Sequence, residues 1–234
     1  MFMYQTFLIF SFLLQIVLIY FLSRRTINNL FHFIRIYVKD DHVVFSLISL
    51  LFFPGTVVHE ISHFLMASML FLKVRSIEIF PKWEKNEIKL GSVQYEKKDF
   101  VRGILVGISP FFAGVLFFWS VSGLKLFPSQ NVFLNLIFLY LIFTVSSMMF
   151  SSKRDLVDLI YIFPLLIFSY GFYYIFDLKL DFLTQNKVLL EEIFNFIKQV
   201  NLFLFISLTI NVILLALLFM TKLFMTKKLI RRNL

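Results

Sequence analysis

The stretch Val43–Leu72, VVFSLISLLFFPGTVVHEISHFLMASMLFL, holds His59-Glu60-Ile61-Ser62-His63 in an apolar run whose only Asp, Glu, Lys or Arg is Glu60. On a helix, residues four apart share a face, so His59 and His63 can turn two imidazole nitrogens toward one point with Glu60 beside them. This is the H-E-x-x-H arrangement, in which two histidines hold a zinc ion and the glutamate acts as a base. An ionisable group within a membrane costs roughly 2.5 to 3.5 kcal/mol on insertion scales. A cation shared by both rings would offset that cost, so His59 and His63 are read as metal ligands rather than core histidines.

Outward from this stretch the composition is equally apolar. The 234 residues are 59% hydrophobic, 19% aromatic and 16% charged, which is not the make-up of a soluble fold. The expectation is an integral, multi-pass membrane protein in contact with a lipid bilayer. A net charge of +9 raises the question of nucleic acid. The basic residues, however, fall between apolar runs and at the C-terminus, as juxtamembrane charge does, and nucleic acid is excluded as a partner. With no cysteine, disulfides and thiolate ligands are excluded too, and any zinc must be held by His, Asp or Glu. The run Phe7–Leu22 lacks a basic leader and a small-residue cleavage site, so it reads as a retained anchor.

Windows of span length fall at residues 5–22, 43–72, 103–124, 131–150, 156–176 and 201–221, giving an all-α polytopic fold of about six transmembrane helices. Three regions follow: an anchor span and loop over 1–42, a metal-bearing membrane core over 43–160, and C-terminal spans with a basic tail over 161–234. Within 177–200, Glu191, Glu192 and Lys198 interleave with apolar residues at helical spacing, as in an interfacial helix, although a solvated connector fits equally. Lys and Arg counts place both termini on the cytoplasmic side. Between the second and third spans, Ile77 and Ile79 alternate with polar residues, as do Ile88 and Leu90 before Gly91. That period predicts a small β-hairpin or sheet, with a bulge at Gly91.

A catalytic zinc takes three protein ligands and a water, so two histidines are incomplete. Asp155, Asp158, Glu191 and Glu192 all lie near expected membrane ends. Asp155 sits at a polar break, Ser151-Ser152-Lys153-Arg154-Asp155, between two apolar runs. His32 and His42, with Asp40 and Asp41, read as a solvated interfacial turn.

Taken in order, Pro54 to His63, the strand-rich loop Val74 to Tyr95, Gly107-Ile108-Ser109-Pro110 and then Asp155 resemble the site-2 protease family of intramembrane metalloproteases. The likeness covers roughly residues 50–160. It implies a zinc endopeptidase that hydrolyses peptide bonds of membrane-spanning protein substrates, with His59, His63 and Asp155 on the metal and Glu60 as the general base. Two departures stand out. Asp155 lies in Ser-Lys-Arg-Asp-Leu rather than an Asn-Pro-Asp-Gly-like segment, which leaves Asp158 as an alternative ligand, and no Asn follows Pro110. A second membrane-zincin pattern would recruit Glu191 or Glu192, without that pattern's usual spacing. The alternatives in function are a non-proteolytic membrane scaffold or assembly factor, for which Glu60 would have no use, and a metal transporter, against which the scarcity of further intramembrane acids counts.

Overall fold

The computed structural model describes residues 2–80, 82–84, 87–89, 91–96, 99–149 and 187–232. They form a mostly helical membrane protein with a small β region. The elements are α1 (Phe2–Tyr37), α2 (Asp41–Leu51), α3 (Phe53–Met69), β1 (Val74–Glu78), β2 (Lys82–Glu84), β3 (Glu87–Lys89), β4 (Ser92–Tyr95), α4 (Phe100–Gly123), α5 (Val132–Met148) and α6 (Lys187–Arg232).

Among the described residues three helices are long and apolar enough to cross a bilayer: Met3–Tyr37, Phe100–Gly123 and Val188–Phe224. The expected six spans are not all seen. Val132–Met148 is a shorter apolar helix, and the expected span at 156–176 lies outside the described residues. The expected second span is not one rod but two, since α2 and α3 meet at a bend of 75°. Pro54, in the first turn of α3, lacks the N–H that would bond back to Leu50, so the ladder of α2 cannot continue through it and the chain bends at Phe52.

Two further boundaries differ from expectation. α1 does not stop at Leu22 but runs on through Arg24 and Arg25, since arginine is a good helix former and no Gly or Pro intervenes. Arg24 is also satisfied locally, donating to the Tyr20 hydroxyl and lying over its ring. Residues 187–200 are neither a connector nor a separate interfacial helix; they are the first part of α6, continuous with the last span.

Asn201 Nδ2 donates to the Leu8 carbonyl and Thr26 Oγ1 to Asn211 Oδ1, so α1 and α6 lie side by side and run in the same direction. Ser146 on α5 shares a hydrogen bond with Ser207 on α6. Around these bonds packs the largest buried cluster among the described residues, including Ile19, Phe118, Ile142, Val200 and Phe203. At the turn into α2, Asp40 caps the helix by accepting from the His42 backbone N–H at 2.8 Å, and Asp41 pairs with Arg35 at 3.1 Å.

The expected β region is present as two antiparallel pairs, β1 with β4 and β2 with β3. Ile77 faces Val93 and Glu78 faces Ser92 across the first. Its register irregularity falls between Val74 and Ser76 rather than at Gly91. The β region leads into α4, where Asp99 caps the first turn and Arg102 reaches back to the Leu70 carbonyl at 3.2 Å, closing the end of α3.

Candidate metal centre

α3 packs against both α4 and α5, and small residues make the approach possible. A Cβ on Gly55 would lie 2.2 Å from the Thr144 carbonyl oxygen, so only glycine lets α3 touch the α5 backbone there. His59 is one turn further along the same face of α3, as Met148 is one turn beyond Thr144 on α5. The two contacts are in step: Gly55 on Thr144, then His59 on Met148.

That register fixes the first ring. His59 is 4% exposed, and its Nδ1 lies 2.8 Å from the Met148 carbonyl oxygen, in the last turn of α5, where helix carbonyls lack intrahelical donors. The second ring is held from the opposite side, with His63 Nδ1 2.8 Å from the Val106 carbonyl oxygen of α4. A carbonyl oxygen only accepts, so the hydrogen of each contact lies on Nδ1, and each ring turns its Nε2 the other way.

The two Nε2 nitrogens face one another. His59 Nε2 and His63 Nε2 are 3.1 Å apart, with ring planes at 88°. Two lone pairs at that distance repel unless a proton or a metal ion lies between them. Ligands on a tetrahedral zinc, at bond lengths of about 2.0 to 2.1 Å, stand about 3.3 Å apart, so the pair fits a zinc edge. Backbone carbonyls bonded to the far nitrogens are also what orients metal-binding histidines.

Glu60 is 6% exposed beside them. The chain between β3 and β4 lies against it: a Cβ on Gly91 would come within 2.6 Å of Glu60 Cγ and 2.8 Å of Oε1. Gly91 has an ordinary negative φ, so space rather than backbone freedom calls for glycine. Ser62 donates to the His59 carbonyl at 2.6 Å, and Ser109 to the Val106 carbonyl at 2.7 Å, a hydroxyl that lies 3.4 Å from that of Ser62.

The structure thus brings His59, Glu60 and His63 together. Among the described residues no third Asp, Glu or His completes a three-ligand group. Asp155 and Asp158 lie outside the described residues. Glu191 and Glu192 are on the first turns of α6, near Lys187 in sequence. Four contributors were missed from sequence: Gly55, Gly91 and the carbonyls of Val106 and Met148. Gly55 had a signal, a small residue four before His59; backbone acceptors carry none in their side chains. No family model, curated protein or solved structure matches this chain.

Proposed function

We propose that this protein is an intramembrane zinc metalloprotease that cleaves membrane-spanning proteins. The observation that carries the reading is the pair of Nε2 atoms 3.1 Å apart, with both Nδ1 atoms committed to carbonyls. His59 and His63 would hold Zn2+ through those nitrogens. Asp155 is proposed as the third ligand and Asp158 as its alternative. Residue 155 follows Met148, which bonds His59, by seven positions, and a chain of that length reaches at most about 25 Å.

Bound there, Zn2+ would supply a water acidified toward neutral pH and an electrophile for a peptide carbonyl. The chain's own residues do the rest. Glu60 accepts a proton from the attacking water and returns it to the departing amine. The Gly91 segment limits where the Glu60 carboxylate can swing and what can enter beside it. A helical substrate hides its carbonyls in hydrogen bonds, so it must extend before cleavage, and the β1–β4 pair offers strand backbone for it to extend against.

The membrane orientation enters the same proposal. Two helices that cross in one direction start on one face and end on the other, and α1 and α6 run in parallel. We therefore replace the same-side termini expected from charge counting with a cytoplasmic basic C-terminus and an N-terminus on the opposite face.

The test is purification in detergent, zinc quantification, and incubation with a panel of single-span proteins. Glu60→Gln should keep its zinc while cleavage falls about 100- to 10,000-fold, the contribution of a general base. Normal turnover by that variant removes Glu60 from the chemistry, and a wild-type chain without zinc removes the reading altogether.

A further inference from the structure

Pro110 lies inside α4, where a proline is costly because it has no N–H to donate and its ring crowds the carbonyl four residues back. That carbonyl belongs to Val106. It is the one that receives His63 Nδ1 at 2.8 Å, together with the Ser109 hydroxyl at 2.7 Å. In a regular helix the oxygen would point along the axis at the N–H of residue 110. Here that donor does not exist.

We infer that Pro110 is a positioning residue for the metal centre: by withholding a backbone donor it frees the Val106 carbonyl to fix the tautomer and direction of His63. The Gly107-Ile108-Ser109-Pro110 segment is then more than a kink. Val106 is fully buried, so the oxygen has no water to turn to, and the imidazole N–H is its strongest available partner. Ser109 uses the remaining lone pair. The same solution serves His59 by another route, since the Met148 carbonyl sits in the last turn of α5. α4 has no end at that depth, and proline makes a carbonyl available in mid-helix. The inference deepens the zinc reading of the same site.

The experiment uses full-length, metal-free protein labelled with 15N-histidine, because the ring 15N shifts tell a protonated nitrogen from a bare one. His63→Asn identifies the His63 signals by their loss. In the wild type at a pH where the ring is neutral, His63 should carry its hydrogen on Nδ1. Pro110→Ala restores the N–H at position 110, and the Nδ1-protonated form should give way to the Nε2-protonated one, with zinc affinity about 10- to 100-fold weaker. Lactic acid placed at position 110 gives an ester with neither ring nor N–H; it should keep the wild-type pattern. This second replacement decides the matter if Pro110→Ala does not fold. An unchanged His63 signal in Pro110→Ala, a wild type bare at Nδ1, or an ester that behaves like alanine would each overturn the inference. A wild type with the stated tautomer but no zinc binding would instead retain the role of Pro110 and sink the protease reading.

Discussion

The α1–α6 and α3 interfaces both bury polar side chains between helices, and they treat them differently. Between α1 and α6, Thr26 donates to Asn211, whose amide donates to the Ser207 carbonyl, and Asn201 donates to Leu8. Each of these donors ends on another protein atom of the same seam. At α3 the Nδ1 bonds run to carbonyls on two different helices, and the two Nε2 atoms converge. The first pattern joins two helices along their length, and the second gathers two rings at one point. The difference lies not in how polar the residues are but in whether their side chains converge on one point.

Removing one ring should separate the two interfaces most sharply. His59→Ala is expected to reduce bound zinc from about one ion per chain to near none, since two ligands remain of the usual three, as metal analysis of purified protein would reveal. Retention of a full equivalent would mean the metal sits elsewhere. Next in size is Gly55→Leu, which drives a side chain into the Thr144 backbone and should cost about 1 to 3 kcal/mol of stability while pulling His59 off Met148. Thermal unfolding and zinc titration should move together; a stability loss with normal zinc affinity would break the coupling between packing and site.

Gly91→Ala probes the cover rather than the ligands. Its methyl group would meet Glu60, so turnover should fall about tenfold, roughly 1.4 kcal/mol in the barrier, with zinc content unchanged. Loss of zinc there would argue that Glu60 holds the metal. Smallest should be Thr26→Val in the α1–α6 seam, where one interhelical bond is worth about 0.6 kcal/mol in membranes. Activity should be untouched. If it collapses, the seam is not merely adhesive.

Much of the site was readable because H-E-x-x-H fixes residue type and spacing at once, and helical geometry does the remainder. The membrane class followed from composition for the same reason: hydrocarbon admits few alternatives. What sequence left hidden is physical rather than accidental. Arg24 and Arg25 looked like the end of a span, but arginine favours helix and Tyr20 takes the charge. Pro54 was visible within the apolar run, yet a proline gives a break without its direction, so the 75° bend could not be foreseen. The continuity of α6 was open to reading, since no Gly or Pro interrupts 187–232. The carbonyls of Val106 and Met148 were not, because every residue has one. Asp155 remains a proposal from sequence order and resemblance.

α6 has 46 residues, which at about 1.5 Å each make a rod of about 69 Å, more than twice the roughly 30 Å of hydrocarbon it crosses. With no hinge residue along it, the excess has to stand in water or lean steeply. Its ends are also unlike: Glu191 and Glu192 near the start, Lys222, Lys227, Lys228, Arg231 and Arg232 toward the finish. The basic finish complements the helix's own polarity, which is negative there, whereas the first turn holds Lys187 and no acid. The longest described element therefore resembles a mast whose two ends differ in chemistry, with most of its cations gathered at the end where the helix carbonyls are unpaired.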